Sequence, residues 1–397
     1  MMCIVKDSDA CCGCGACAQI CPVGAIQMIP DEEGFLVPKV QADQCIKCGL
    51  CTKVCVFGRD NITSGYHQVF YAARVKERET LAASSSGGMF SVLSDAVLNE
   101  NGYCIGAVYK NISEVVHSIA DTKEKRNNQR GAKYVQSVIG DSYQSTEKLL
   151  KDGCRVMFSG TPCQIAGLNS YLQSRRVSTE KLYTMDFICH GVASPAILKQ
   201  YCRFIEEISG QKIKGINMRS KVYGWRRQRA RIEYESGDKH LEEQYEYNRL
   251  YLSRLGLRES CYRCPYASYN RCSDITVSDL WGISSKSLMD DDNGVSTVII
   301  NSEKGERWFG VIKDKLEYEL LTKEKCYQGH LEHPTSRPQN RDIFFRELEE
   351  NGMLYIFENY IGQESISQKI IKGLAPLMRK VGLYGIAYKV HDRLLKK

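Results

Sequence analysis

Cys11, Cys14, Cys17 and Cys21 follow one another at Cys-x-x-Cys-x-x-Cys-x-x-x-Cys spacing, and Cys45, Cys48, Cys51 and Cys55 repeat it. Thiolates are soft ligands, and three of them two residues apart can meet three corners of one 4Fe-4S cube, because the loop between them turns each sulfur inward. Gly13, Gly15 and Gly49 permit that loop, since glycine accepts positive φ and lets backbone N–H groups approach the cluster sulfurs. The fourth cysteine of each run is carried away from its own loop and reaches the other cube. Cys11, Cys14, Cys17 and Cys55 are therefore expected to form one ligand set, and Cys45, Cys48, Cys51 and Cys21 the second. Zinc takes two separated cysteine pairs and has no use for the third closely spaced thiol. Cys3 and Cys12 fall outside the spacing, and packing or accidental exposure is their default role.

These thiols need a scaffold. Ten of the 19 cysteines lie within residues 1–55, in the order used by bacterial two-cluster ferredoxins. Between the runs, residues 25–29 and 35–40 read as short strands about a turn at 30–34, which suits the pseudo-twofold α+β fold of such ferredoxins. Residues 1–60 are taken as this module. Val56 stands where the first run has Pro22, a difference that touches chain direction and not ligation.

A chain of 397 residues with 43% hydrophobic and 25% charged residues has a globular composition and length for two or three domains, which excludes collagen-like and wholly disordered chains. Its cysteines are too sparse for a disulfide scaffold. Residues 1–7 hold no signal-peptide core, and no segment approaches the ~20 apolar residues of a spanning helix. A cytoplasmic location is expected, where thiols stay reduced and spaced cysteines bind metal. The net charge is +7, but residues 366–397 carry eight Lys/Arg against Asp392 alone, and the rest of the chain is neutral. That distribution does not favour nucleic acid.

Beyond a polar stretch at 61–68, strand-like and helix-like segments alternate, as in an α/β domain. Residues 69–75 alternate as a strand, and Ser84-Ser85-Ser86-Gly87-Gly88 leads into a helix over 89–98. Such a loop presents free N–H groups to an anion, or is simply flexible. Neither a Walker pattern nor a Gly-x-Gly-x-x-Gly after a strand is present. Residues 155–159 form a strand running into Gly160-Thr161-Pro162-Cys163-Gln164 and a helix through Leu172. A second strand, 182–188, ends at Cys189-His190-Gly191, and Ser194 and Pro195 open the next helix. Ligands bind at the carboxyl ends of α/β strands, so Cys163 and Cys189 are expected to face one crevice. Cys261 and Cys264 lie in a loop before a strand at 274–278. Four cysteines from three loops suffice for a third cluster.

The ordered set Ser85-Ser86-Gly87-Gly88, Lys133-Tyr134-Val135-Gln136-Ser137, Gly160-Thr161-Pro162-Cys163-Gln164, Cys189-His190-Gly191, Cys261-x-x-Cys264 and Asp274-Ile275-Thr276-Val277-Ser278-Asp279-Leu280-Trp281-Gly282 resembles the beta-subunit family of the deazaflavin-coenzyme-reducing hydrogenases and dehydrogenases, over roughly residues 68–330. Behind a two-cluster ferredoxin, the chain is similar to stand-alone bacterial members. The resemblance implies a non-Rossmann α/β flavoprotein domain that binds FAD beside a 4Fe-4S cluster. It maps Ser85, Ser86, Gly87, Gly88, Lys133, Tyr134, Gln136, Ser137, Gly160, Thr161, Pro162 and Gln164 to flavin-binding motifs. It maps Cys163, Cys189, Cys261 and Cys264 to the family's cysteine positions, with Cys272 able to replace one of them. The family has glycine where this chain has Ser278, which questions any positive φ there.

A Cys163–His190 nucleophile pair lacks an orienting third group, and cluster ligation is the better reading. Arg227, Arg229 and Arg231 alternate along a predicted strand and share one face, open to an acidic substrate or merely solvated. Trp281 is expected to fill core. The implied function is electron passage between an external carrier, the clusters and FAD, with hydride exchange to a small organic substrate. The alternative is a redox adaptor without flavin that docks on a partner enzyme. Residues 331–397 form an extension whose Ile370, Leu374, Leu377 and Val381 recur at helical spacing beside Lys369, Lys372, Arg379 and Lys380. This basic amphipathic pattern suits peripheral contact with an anionic membrane, or packing on its own domain or a second subunit.

Overall fold

The computed structural model describes residues 8–56, 65–241 and 245–361. In the first unit, Gly15 (φ +71°) opens α1 (Ala16–Ile20) and Gly49 (φ +76°) opens α2 (Leu50–Val54). Both glycines sit in the left-handed region, where a Cβ is costly. Between these helices β1 (Ile26–Pro30) pairs antiparallel with β2 (Leu36–Val40), in the register Ile26 to Val40 and Pro30 to Leu36. Asp31 closes their turn, its Oδ1 accepting from the amides of Glu33 (3.1 Å) and Phe35 (2.8 Å). Each half supplies one cysteine run, one short helix and one strand, the pseudo-twofold plan expected of the module.

The body is built on an eight-stranded mixed sheet. Its strands are β3 (Val69–Val75), β4 (Tyr103–Asn111), β5 (Glu114–Ala120), β6 (Val156–Ser159), β7 (Leu182–Phe187), β11 (Ile275–Asp279), β12 (Ser296–Ile300) and β13 (Leu316–Leu321). Their spatial order is β13-β3-β12-β11-β7-β6-β4-β5. The four central strands β11, β7, β6 and β4 run parallel, and antiparallel strands flank them. Alternation along each strand divides two cores. Ile105, Val156, Phe158 and Leu182 meet α6 (Ser142–Lys151), α7 (Pro162–Ser174) and the cysteine module on one face. Cys104, Met157 and Ile275 meet α4 (Met89–Leu98) and α10 (Glu303–Ile312) on the other. Two one-turn helices, α3 (Arg78–Ala82) and α5 (Lys123–Asn127), complete this region.

A smaller antiparallel sheet of β8 (Ile213–Ser220), β9 (Arg229–Tyr234) and β10 (Lys239–Leu241) shares a third core with α8 (Pro195–Ser209), α9 (Tyr247–Leu252) and α11 (Arg341–Ile356). Phe344, Leu348 and Ile356 of α11 are buried with Leu198 and Tyr201 of α8. The part of the extension over 341–356 is thus packed into the body. The basic stretch 366–397 lies outside the described residues, as do residues 1–7 with Cys3. Among the described residues no helix is long and apolar enough to cross a membrane.

Candidate cluster and cofactor site

The first cysteine run is buried against the body. Gln19 Oε1 accepts from the amides of Tyr143 (2.9 Å) and Gln144 (3.1 Å), at the start of α6. Gly167 of α7 approaches so closely that a Cβ there would stand 3.1 Å from Cys14 Sγ. Cys11, Cys14 and Cys17 are buried, whereas Cys48 is exposed. Burial, and after it the charges of Cys11 and Cys55, push the Cys17 thiol up to about 12. Cys51 is also among those neighbours, so thiols of both runs gather about Cys17.

Two strand ends build a second gathering of thiols. β6 ends at Ser159 and hands the chain to α7 through Gly160 and Thr161, placing Cys163 in the first helical turn, its Sγ 3.1 Å from Thr161 Oγ1. β7 ends at Phe187 and delivers Cys189, whose Sγ accepts from the Gly191 amide at 3.4 Å. A short turn at Glu259–Arg263 brings Cys261 and Cys264. Burial lifts Cys189, Cys261 and Cys264 to about 12, with Cys163 adding its charge to each. The hydrogen bond with Cys12, then burial, pushes Cys163 well above the thiol range. Four crowded thiols resist ionising together unless a multivalent metal centre compensates them, and that donor set fits a 4Fe-4S cube. Among the described residues no three His, Cys, Asp or Glu side chains converge on single-ion geometry; a cube asks instead for one thiolate at each of four irons.

Two further thiols flank Cys163. Cys272 donates to Pro162 O at 3.4 Å, and Asp186, Arg271 and Cys163 are its charged surroundings. Cys12, expected to pack or to be exposed by accident, lies between Cys14 and Cys163. Its place was hidden because the contact joins segments 151 residues apart in sequence.

The same two turns that carry Cys163 and Cys189 also line a cavity of about 2360 Å³. That exceeds the roughly 300–1,000 Å³ of common ligand pockets and leaves room for a dinucleotide and a second molecule. Of the residues assigned to flavin motifs, Ser85, Ser86, Gly88, Lys133, Tyr134, Ser137, Gly160, Thr161 and Gln164 are on its wall. Gly87, Gln136 and Pro162 are not. Gly87 donates to Ser296 Oγ (3.0 Å) and packs so tightly on Ala73 O that no Cβ fits; Gln136 faces the cysteine module; Pro162 is the first residue of α7. Gln164 serves the fold as well, its Oε1 accepting from the Thr161 amide at 2.9 Å.

Tyr134 holds a left-handed backbone (φ +49°), rare for a bulky residue, and stacks on Tyr251 with ring centres 4.5 Å apart. Lys133 is buried, which draws its pKa down to about 7, while its ammonium donates to the carbonyls of Gln129, Arg130 and Gly131 at 2.8–3.0 Å. Among the described residues, Ser91 Oγ, His117 Nδ1, Gln129 Oε1, Arg130 Nε, Arg226 Nε and Asn248 Oδ1 have no protein partner, and all six residues line this cavity. Buried polar groups are ordinarily satisfied, so the wall has capacity for a large polar ligand. His117 Nε2 is 3.1 Å from Ser159 O, and burial lowers its pKa to about 4, so the ring stays neutral.

Part of the cavity wall is cationic and aromatic, with Arg219, Arg226 and Trp281 on it. Arg219 forks onto Asp279 (2.7 and 2.8 Å), and Trp225 Nε1 donates to the same carboxylate. Trp281, expected in the core, is half-exposed on the cavity wall and stacks on buried Trp225 (4.9 Å, 7°). The arginine stripe is partly dismantled: β9 starts at Arg229, so Arg227 precedes the strand, and Arg231 does not line the cavity. Ser278 sits in regular β11 without positive φ, and its Oγ accepts from Gln328 Nε2 (2.6 Å). The family glycine is not needed there. His190 packs edge-on against His330, and Cys163 pairs instead with Thr161, so the nucleophile pair is not assembled.

Residues 153–325 match the family of the C-terminal part of the coenzyme F420 hydrogenase/dehydrogenase beta subunit, and residues 10–59 match the 4Fe-4S dicluster domain. The chain thus carries a 4Fe-4S dicluster domain over residues 10–59 and, over residues 153–325, the C-terminal domain of the coenzyme F420 hydrogenase/dehydrogenase beta-subunit family. It is also similar to a chain in a structure of the F420-reducing NiFe hydrogenase complex from Methanosarcina barkeri, at 17% identity over 80% of this chain and 96% of that one, with a TM-score of 0.45. No curated protein matches. The beta-subunit domain holds Cys163, Cys189, Cys261 and Cys264 within its matched span, while the Ser-Gly loop and Lys133 lie before it. Its iron-sulfur partner domain makes electron transfer the chain's chemistry.

Proposed function

We propose that the chain is an iron-sulfur flavoprotein oxidoreductase, with FAD in the large cavity of a non-Rossmann domain and a third 4Fe-4S cluster on Cys163, Cys189, Cys261 and Cys264. The observation that carries this reading is that both strand-end turns are double-sided. Gly160 and Thr161, and likewise His190 and Gly191, line the cavity, while Cys163 and Cys189 join the thiol group. The Ser84–Gly88 loop, Ser91 at the start of α4 and Arg130 would hold phosphates. Bound there, a flavin supplies the conversion of two single electrons and a proton into one hydride. The chain's own residues exclude water, fix orientation and hold counter-charge. The exposed Cys48 side of the dicluster domain faces an external one-electron carrier or partner enzyme, and the cavity mouth faces a small organic molecule. The division into 1–60, 68–330 and 331–397 is part of the same proposal, with 366–397 as an anionic-membrane contact.

Anaerobic purification should yield a protein with a flavin absorption band that bleaches with its substrate. Cys163→Ala should lose about four irons, one cluster's content, and keep the dicluster signals in electron paramagnetic resonance. Cys272→Ala should keep full iron. Full iron in Cys163→Ala removes that ligand, and a chain with all its iron and no flavin is the redox adaptor instead.

A further inference from the structure

Six arginines are buried in the described structure: Arg74, Arg126, Arg219, Arg258, Arg271 and Arg341. Five are held by carboxylates. Arg74 meets Asp291 and Glu317, Arg126 meets Asp95, Arg219 meets Asp279, Arg271 meets Asp186, and Arg341 meets Glu33 and Glu259. Arg258 is the exception among the described residues. Only 3% of it is exposed, and its partners are neutral: Nε donates to Cys11 O (2.5 Å), Nη1 to Gln136 Oε1 (2.8 Å) and Nη2 to Leu36 O (3.0 Å). Phe35 lies under the guanidinium at 5.2 Å.

Desolvating an arginine without a counter-charge is costly, so a negative group belongs beside it. The geometry identifies that group. One of its hydrogen bonds is to a ligand residue of the first cluster, Cys11, and its own carbonyl accepts from the Cys261 amide at 2.9 Å. Gly13 keeps the approach open, since a Cβ there would stand 2.8 Å from Arg258 Nη1. A cube with four thiolates carries net negative charge, and it gains another on reduction.

We propose that Arg258 is the shared counter-ion of the two clusters at the junction, raising the reduction potential of both so that electrons are drawn inward from the exposed dicluster cube. The effect is electrostatic: a cation in a low-dielectric site stabilises the more negative, reduced state. The Cys163 half of this statement rests on the proposed third cluster, whereas the Cys11 half needs only the dicluster domain.

The test is a redox titration of the full-length, anaerobically isolated protein, followed by electron paramagnetic resonance. In Arg258→Gln the reduced-to-oxidised ratio of the Cys11 cluster, at fixed potential, should fall at least tenfold, which is 59 mV for one electron. The Cys163 cluster should move the same way. The cube held by Cys45, Cys48 and Cys51 should keep its potential, and Arg258→Lys should restore the others. Gln136→Glu gives Arg258 the carboxylate that its five counterparts have, so it should lower the same two potentials with the guanidinium still present. That second variant decides the matter if Arg258→Gln loses iron. Unchanged potentials in iron-replete variants, or an equal shift in all clusters, overturn the proposal. A shift at the Cys11 cluster in a chain lacking any third cluster upholds Arg258's role and sinks the body cluster, so the two readings fail separately.

Discussion

Arg229 lies 3.1 Å from Glu246, a carboxylate that is almost fully buried, whereas Arg227 is exposed on the same cavity wall with no described carboxylate on it. The sequence presents the two as equal members of one stripe, because alternation reports a face and not a partner. Their variants should separate. Arg227→Glu should raise the Michaelis constant for an anionic substrate by about tenfold or more, a charge-assisted contact being worth on the order of 1.5–3 kcal/mol, with flavin content unchanged. Arg229→Glu should instead cost about 1–3 kcal/mol of stability by leaving Glu246 buried beside a like charge. Burial already raises the Glu246 pKa above its ordinary 4.5. The folded state therefore keeps its proton to higher pH than the unfolded one, and the deficit should shrink as pH falls toward that value and grow above it. Urea unfolding at several pH values measures this, and a pH-independent loss would disprove the assignment. The two cysteine runs, 11–21 and 45–55, are readable because their spacing is local. Cys12 and Arg258 act through contacts distant in sequence and leave no such spacing.

Helix α7 and its neighbours show where reading from local pattern succeeds. Thr161 and Pro162 at its start, the apolar strand β6 before it and the Ser194-Pro195 opening of α8 are short-range signals, and these elements appear within two residues of the positions those signals predict. Alternation starts the Arg227–Arg231 strand too early, since β9 begins only at Arg229. What no local pattern discloses is that α7 has two jobs. Its first turn offers Cys163, and Gly167 one turn later is the seat on which Cys14 rests. Gly167→Ala would set a Cβ 2.8 Å from Tyr143 Oη and 3.0 Å from Cys14 Cβ. Ala is the better helix former, so propensity alone predicts a gain. Overpacking at this junction should win, lowering stability by about 1–3 kcal/mol and slowing electron passage into the body at full iron content. A variant as stable as the parent would show that the contact yields without cost.

Across the chain, cysteine exposure falls from Cys48 at the surface to Cys11, Cys14 and Cys17 beneath it, while net charge has the opposite address, all +7 of it in residues 366–397. That segment lies outside the described residues, so its reading stands on composition. Ile370, Leu374, Leu377 and Val381 recur at helical spacing among basic residues, whereas Gly373, Pro376, Gly382 and Gly385 oppose a continuous helix. Each Lys or Arg near an anionic lipid surface contributes on the order of 1 kcal/mol. Eight of them against one acid should therefore bind without a spanning segment, and the binding should weaken with salt as the charges are screened. Flotation on anionic vesicles at low salt, with and without 366–397, separates this from simple packing of the tail on the body. The full chain should float, the truncated chain should not, and neutral vesicles should hold neither. A full chain that stays at the bottom of the gradient would leave the charge to a protein partner.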